Sequence, residues 1–169
     1  MPAPHRTKRR FALVGIIAAL AAALLMALPV ATASASTKWN PPHTPRWVAN
    51  ACRTGTAICI NKSISKLAFV KNGRTVLIMD ARFGDAANPT REGTFKVYYK
   101  DAHHVSHLYG SSMPYSMFFS GGEAIHYSID FATYGYAHHS HGCVNIRDYD
   151  GVRWLFNHTP IGTKVVVYH

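Results

Sequence analysis

The residues best suited to chemistry are one cysteine and one histidine, both late in the chain. Cys143 stands in the run Ser140-His141-Gly142-Cys143-Val144-Asn145, and His126 ends a short apolar run upstream. A free thiol has a pKa of about 8.5 and needs a base to react near neutral pH. A histidine supplies that base when the fold brings the two side chains together. Cys143 is therefore the candidate nucleophile of an acyl transfer, and His126 is the candidate base.

The residues next to Cys143 suit the rest of such a site. Gly142 permits a tight bend and leaves room for a substrate carbonyl beside the backbone. We expect the amide N–H groups of Gly142 and Cys143 to point at the developing oxyanion. Alternate residues of an extended chain share a face, so His141 is able to lie on the same side as Cys143. Ser140 is expected to hydrogen-bond within the pocket.

The order and spacing of these residues resemble the signature of the L,D-transpeptidase (YkuD-like) catalytic domain family. His126 is followed by a gap of 13 residues and then by Ser140-His141-Gly142-Cys143. A Pro-Thr-x-x-Gly-Thr-Phe element at residues 89–95 strengthens the match. The resemblance covers residues 58–169, which we expect to form the catalytic domain.

The resemblance implies a fold and an activity. The implied fold is mainly β, a β-sandwich with one short helix after the catalytic cysteine. The implied activity is a two-step acyl transfer on peptidoglycan stem peptides through a thioester on Cys143, which forms 3-3 cross-links or exchanges the terminal D-residue. Carbapenem-type inhibitors, which acylate the cysteine of these enzymes, are further expected ligands. No cofactor and no metal are implied.

The resemblance also implies roles for individual residues. The backbone carbonyl of Tyr127 is expected to orient the ring of His126 in place of the acid of a triad, with Asp130 as an alternative orienting group. His141 is expected to shape the site. Many family members carry arginine two positions after the cysteine, where Asn145 stands here, and other members carry asparagine. Arg147 is a candidate for the substrate contact that this arginine would make.

The N-terminus is typical of an exported protein. A basic segment that ends at Arg10 is followed by an uncharged run, Phe11–Val30, and by small residues that match an A-x-A cleavage site ending at Ala35. Residues 1–35 are therefore predicted to be a signal peptide. A retained membrane anchor is the alternative, since about 20 apolar residues span a bilayer. Both interpretations place the domain in the cell envelope or outside the cell.

The net charge after residue 35 favours an anionic partner. The whole chain carries 18 Lys and Arg residues against eight Asp and Glu residues, and only four of the basic residues lie in residues 1–35, which leaves +6. A cell wall is such a partner, although this charge also serves solubility alone. No Lys/Arg-rich cluster follows residue 10, which argues against nucleic acid as a partner.

Three cysteines in an exported chain suggest one disulfide and one free thiol. Cys52 and Cys59 are close in sequence with Gly55 between them, and an oxidising compartment favours their pairing. Cys143 is then left free. Residues 36–57, with three prolines and little periodicity, are predicted to be a linker that leads into the disulfide loop.

The rest of the sequence predicts short strands. Apolar runs at 66–71 and 74–79 flank Asn72-Gly73, which is a strong hairpin signal. Residues 94–100 alternate as one strand, and 123–127 and 164–168 are further strands. Residues 101–120 are predicted to be a loop; the family resemblance implies that it is a lid or a wall of the substrate groove, and a loop packed on the core is the alternative. After Cys143 the period becomes helical: Asp148 is the predicted N-cap, Val152, Leu155 and Phe156 form one apolar face, and Pro160 ends the helix.

Three alternatives to the transpeptidase remain from the sequence. Water as the acyl acceptor would make the protein an L,D-carboxypeptidase. His103, His104 and His107, or His139, His141 and Cys143, would make a zinc site, although neither spacing matches a standard zinc signature. A wall-binding domain that keeps the fold without catalysis is the third alternative.

Overall fold

Nine strands form one curled, mixed sheet in the computed structural model of the protein, which describes residues 44–169. The strands are β1 (Thr56–Asn61), β2 (Lys66–Lys71), β3 (Arg74–Arg82), β4 (Gly93–Lys96), β5 (Tyr99–Val105), β6 (Ser112–Ser120), β7 (Glu123–Tyr127), β8 (Val144–Ile146) and β9 (Lys164–Tyr168). Two helices accompany them, α1 (Ile129–Tyr134) and α2 (Tyr149–His158). The predicted mainly-β class is confirmed. The predicted signal peptide, residues 1–35, and residues 36–43 lie outside the described residues.

The order of the strands across the sheet is β4-β9-β1-β2-β3-β8-β7-β6-β5. The pairs β1–β9 and β7–β8 are parallel, and the other pairs are antiparallel. The predicted hairpin is confirmed, since β2 and β3 pair around Asn72-Gly73. Strand β3 joins the two halves of the sheet because it pairs with β2 along most of its length and with β8 at its end.

The main core lies inside the curl of the sheet and is closed by α2. The strands β1, β2 and β9 each send alternate side chains into it, as a period of two requires. The predicted helix is confirmed: Asp148 accepts a hydrogen bond from the Gly151 amide at 2.8 Å, and Val152 and Leu155 are fully buried. The carboxylate satisfies an amide that has no partner within the helix.

A second, smaller core covers the outer face of the same three strands. The side chains that point outward here include Ala57, Ala68 and Val166, and they are buried beneath Val48 and Cys52 of the preceding segment. A disulfide joins Cys52 to Cys59 of β1. Because both faces of β1 and β2 are covered, these strands are apolar throughout rather than alternating.

Residues 101–120 differ from the loop that the sequence predicts. They form most of a long antiparallel hairpin, β5 and β6, which is the far edge of the sheet. β5 is an edge strand with much of its surface in solvent, so it carries histidines and an aspartate instead of an apolar pattern. The predicted single strand at 94–100 is also wrong. The Val97 amide donates to the Thr163 carbonyl and the Tyr98 amide donates to the Phe118 carbonyl, so the chain changes its hydrogen-bonding partners between β4 and β5.

The helix α1 was not predicted. It begins after Ser128, whose hydroxyl accepts a hydrogen bond from the Phe131 amide at 3.2 Å, and it buries only Phe131. Six residues with one buried side chain are too few to give a helical period. Among residues 44–169, no helix is long and apolar enough to cross a membrane.

Candidate active site

The register of three neighbouring strands places the candidate residues in one row. His126 of β7 lies opposite Asn145 of β8, and Asn145 lies opposite Arg82 of β3. The residues that alternate with them point into the main core: Ala81, Ile125, Val144 and Ile146. The row of His126, Asn145 and Arg82 therefore lies on the other face of the sheet.

Cys143 directly precedes β8 and lies on the same face as Asn145, two residues away. It is partly buried and packs against Met113, Phe118 and Ala124. Burial raises the pKa of the thiol, and the carboxylate of Glu123 raises it further, while a hydrogen bond from the Ala124 backbone opposes both effects. Cys143 is the only free cysteine among the described residues, so the pairing of Cys52 with Cys59 leaves one thiol.

His126 is buried, and both of its ring nitrogens have partners. Nδ1 donates to the backbone carbonyl of Tyr127 at 2.6 Å, and Nε2 accepts from the Nδ2 amide of Asn145 at 3.0 Å. A carbonyl only accepts, so the proton of the neutral ring is on Nδ1 and the lone pair is on Nε2. Burial lowers the pKa of His126 to about 4, against the smaller opposing effect of the Tyr127 hydrogen bond.

Burial therefore favours a neutral thiol at Cys143 and a neutral imidazole at His126. A pH near 7 is well above the pKa of the His126 imidazole and below the raised pKa of the Cys143 thiol. A thiolate–imidazolium pair is disfavoured because burial penalises both charged forms. An imidazole in this state is able to accept the thiol proton during attack on a substrate.

The segment Ser140–Cys143, which holds the candidate nucleophile and which we call the nucleophile loop, is held by two hydrogen bonds from Ser140. The Ser140 hydroxyl donates to the carbonyl of Cys143 at 2.6 Å, and the Ser140 amide donates to the carbonyl of Phe83 at 2.9 Å. Gly142 has a φ of 103°, which residues with a Cβ rarely adopt. The loop therefore depends on glycine at this position for its bend.

The nucleophile loop is packed closely against Gly84, which follows β3. Gly84 forms an isolated bridge with Ser140, and its amide donates to Thr90 Oγ1 at 3.1 Å. A Cβ at Gly84 would lie 1.8 Å from the carbonyl oxygen of Asn88 and 2.8 Å from the amide nitrogen of Gly142. Three backbone segments meet here without room for a side chain.

We expect Gly84→Ala to lower the free energy of unfolding by about 3 kcal/mol, at the upper end for overpacked positions, because backbone atoms must move. The displaced atoms include the amide of Gly142, so acylation of Cys143 should slow as well. Urea denaturation and the rate of covalent adduct formation measure the two effects.

Gly55→Ala is the matched control for this substitution. Gly55 has a φ of 66° and open space around its Cβ position, so its replacement costs only conformational strain of about 1 kcal/mol. Adduct formation by the Gly55 variant should equal that of the wild type. Equal losses of stability in the two variants would contradict the close contact at Gly84.

The Pro-Thr-x-x-Gly-Thr-Phe element contacts two residues that border the nucleophile loop, Gly84 and Glu123. Thr90 holds Gly84, as described above, and the Arg91 amide donates to Glu123 Oε1 at 3.3 Å. Arg91 Nε also lies 3.6 Å from this carboxylate oxygen. Burial raises the pKa of Glu123, and the hydrogen bond from Arg91 opposes that effect. The element thus fixes the nucleophile loop and a carboxylate beside it.

His141 points away from the buried row. Its side chain is exposed, and its ring stacks on Tyr109 with centroids 4.3 Å apart and planes 19° apart. Tyr109 lies at the tip of the β5–β6 hairpin. The hairpin tip therefore contacts the nucleophile loop, in the region where the sequence predicts a groove wall.

Two candidates from the sequence have other partners. The carboxylate of Asp130 binds Arg82 at 2.6 Å and His138 at 2.9 Å, and it makes no hydrogen bond to His126. Arg147 pairs with Asp80 and lies over the rings of Phe131 and Tyr136. The orienting contact of His126 is made by Tyr127 instead.

The described residues contain no group of three or more His, Cys, Asp or Glu side chains arranged to hold a metal ion. His104 bonds to Asp101 at 3.3 Å and packs edge-on against Phe118, while His107 contacts the ring of His104. The zinc alternative therefore gains no support from residues 44–169.

Sequence reasoning missed Arg82 and Glu123. Both are buried, with exposed fractions of 3% and 8%. The only sequence signal for Arg82 is its charge at the end of strand β3. That signal does not indicate which residue Arg82 contacts. A cavity of about 250 Å³ lies beside this part of the site, and Arg82, Gly84, His138 and His139 are among its lining residues.

Comparison with known proteins gives consistent results. The family model of the L,D-transpeptidase catalytic domain (YkuD) matches residues 55–167. An L,D-transpeptidase from Xylanimonas cellulosilytica is 31% identical with a TM-score of 0.62, over 77% of this chain and 65% of that one. Another from Stackebrandtia nassauensis is 27% identical with a TM-score of 0.63, over 68% of this chain and 56% of that one.

A third solved structure, the L,D-transpeptidase LdtMt1 in complex with imipenem, has the same fold. It is 23% identical with a TM-score of 0.62, over 68% of this chain and 59% of that one. The chain thus spans between 56% and 65% of the length of these three proteins. No curated protein sequence matches it. Because the family model matches more than half of its residues, the chain belongs to the L,D-transpeptidase catalytic domain family.

Proposed function

We propose that the protein is an exported L,D-transpeptidase in which Cys143 is the nucleophile and His126 is the base. The observation that carries the proposal is the placement of both residues on one face of the parallel strands β7 and β8, outside the main core. The fixed tautomer of His126, with its lone pair on Nε2, supports the role of base. The predicted signal peptide supports export.

In the first step, Cys143 Sγ attacks the carbonyl carbon of the third stem residue of a donor tetrapeptide while its proton passes to His126 Nε2, which gives up the hydrogen bond from Asn145 as it takes the proton. The new C–S bond places negative charge on the carbonyl oxygen, which the amides of Gly142 and Cys143 stabilise. Collapse of this intermediate breaks the C–N bond to the terminal D-residue. His126 returns the proton to the leaving amine.

In the second step, an amine of another stem peptide attacks the thioester, and His126 accepts a proton from that amine. The C–N bond of a 3-3 cross-link forms, and the C–S bond breaks to restore the thiol of Cys143. A D-amino acid as acceptor gives exchange of the terminal residue, and water gives the carboxypeptidase alternative. We expect the β5–β6 hairpin tip, where Tyr109 stacks on His141, to border the peptide groove.

The proposal is tested by incubating the full-length chain with purified disaccharide-tetrapeptides and measuring the products by mass spectrometry. We expect a dimer whose mass is the sum of two monomers less one molecule of the free terminal D-amino acid, together with that released amino acid. Cys143→Ala should give neither product. Tripeptide monomers without dimers would favour the carboxypeptidase, and unchanged monomers with a folded wild type would contradict both enzymes.

A further inference from the structure

The row His126, Asn145 and Arg82 continues as a chain of hydrogen bonds. Arg82 Nη2 donates to Asn145 Oδ1 at 2.9 Å, and Asn145 Nδ2 donates to His126 Nε2 at 3.0 Å. The chain ends at the Tyr127 carbonyl, to which His126 Nδ1 donates. Each of the three side chains comes from a different strand, and the register of β3, β8 and β7 sets them side by side.

The direction of this chain is fixed at its Arg82 end. A guanidinium has donors only, so the oxygen of the Asn145 amide must face Arg82. The NH₂ group of Asn145 must then face His126, and Nε2 of that ring must be an acceptor. A reversed amide would place its NH₂ group against the guanidinium and its oxygen against an unprotonated nitrogen. Arg82 thereby supports, from the Nε2 side, the same tautomer that the Tyr127 carbonyl requires at Nδ1.

Arg82 is itself held by several contacts. Nη1 donates to the Gly135 carbonyl at 3.0 Å, and Nη2 also donates to Asp130 Oδ2 at 2.6 Å. The guanidinium lies 5.1 Å from the centroid of the Phe131 ring. A buried cation needs such a counter-charge, since its desolvation is otherwise uncompensated. Hydrogen bonds from His138 and Arg82 keep the pKa of Asp130 low, so its carboxylate stays charged.

We propose that Arg82 and Asp130 act as a positioning pair that fixes Asn145 and, through it, the ring of His126. Asp130 anchors the guanidinium, the guanidinium orients the Asn145 amide, and the amide donates to Nε2 and so holds the ring of His126 in place. Neither residue of the pair contacts the reacting atoms. This inference rests on the proposed role of His126 as the base.

The test is a double-substitution cycle on the full-length chain, with acylation by imipenem as the kinetic readout. We expect Arg82→Met to slow acylation by about 10- to 100-fold, as small displacements of catalytic groups do. Arg82→Lys should restore little of the rate, because one ammonium cannot reach the three acceptors of the guanidinium fork. In an Asn145→Ala background, Arg82→Met should change the rate by less than about 3-fold, since its target is gone.

A second readout reports on the ring directly. ¹⁵N NMR of the imidazoles, with His126 assigned by its absence in His126→Gln, should show a single Nδ1–H tautomer in the wild type. In Arg82→Met the Asn145 amide is free to turn its oxygen toward Nε2, which favours a proton there against the Tyr127 contact, so an Nε2–H tautomer should appear beside Nδ1–H. Arg153→Met is the matched control, because it breaks an exposed Arg–Asp pair with Asp150 on α2 and should change neither readout.

Asp130→Asn covers the case in which Arg82→Met fails to fold, since Asp130 is exposed enough to be replaced without a cavity. Like Arg82→Met, it should slow acylation and give a mixture of His126 tautomers. Wild-type rates and a single tautomer in the folded Arg82 or Asp130 variant would overturn the positioning pair while Cys143→Ala stays inert. A Cys143→Ala protein that still reacts like the wild type would instead overturn the proposed function.

Discussion

Cys143→Ala should abolish covalent modification of the protein by imipenem. The wild type should gain one adduct, because Cys143 is the only free thiol among the described residues and is partly accessible. Cys52 and Cys59 are joined to each other and offer no second thiolate. Imipenem is a carbapenem, the inhibitor class that the family resemblance predicts as a ligand of Cys143. Intact-protein mass spectrometry after mixing gives the count of adducts directly.

The controls for this prediction separate the site from the fold. Circular dichroism of Cys143→Ala should match the wild type, since the thiol lies at the edge of a small cluster with Met113, Phe118 and Ala124. An adduct on both proteins would show that the acylated group lies elsewhere. A folded wild type that gains no adduct would argue against Cys143 as a nucleophile.

The sequence predicts those parts of the fold that depend on local signals. Asn72-Gly73 between two apolar runs predicts the β2–β3 hairpin, and Asp148 before an apolar period predicts α2. The sequence does not predict the hairpin β5–β6, because β5 is an edge strand. Its stability comes from pairing with the buried strand β6 rather than from its own side chains, so its sequence has a loop-like composition.

The candidate site divides in the same way. Cys143, His126 and the Tyr127 carbonyl follow from the resemblance to a known family, because an ordered motif needs only the chain. Arg82 contacts Asn145 across 63 residues, and that contact exists only through the register of β3 with β8. A single sequence does not state a register between distant strands. The role of Gly84 is not predicted for the same reason, since its close approach to Gly142 depends on three segments that meet in space.

The neutral state of the site makes the base more important than it is in a thiolate–imidazolium pair. A raised thiol pKa leaves little thiolate near pH 7, so attack must be coupled to proton transfer. A neutral thiol is also less prone to oxidation, because oxidation follows thiolate character. In the proposed mechanism, every acylation then depends on His126.

His126→Gln should therefore slow acylation of Cys143 by about 10²- to 10⁴-fold, the usual contribution of a general base. Glutamine retains polar contacts at the position but accepts no proton. Because its residual reaction must proceed through free thiolate, its rate should rise about tenfold per pH unit below the thiol pKa. Stopped-flow or timed mass measurements with imipenem, from pH 5 to pH 8, give both the rate and its slope.

The wild type should behave differently over the same range. With the pKa of His126 near 4, the neutral base is fully populated from about pH 5 upward, so the acylation rate should be nearly constant between pH 5.5 and pH 7.5. A histidine with the ordinary pKa of about 6.5 would lose about tenfold over that interval as it becomes protonated. A fall in the wild-type acylation rate below about pH 6.5 would show that the His126 ring is solvated in solution. An acylation rate of His126→Gln equal to that of the wild type would exclude His126 as the base.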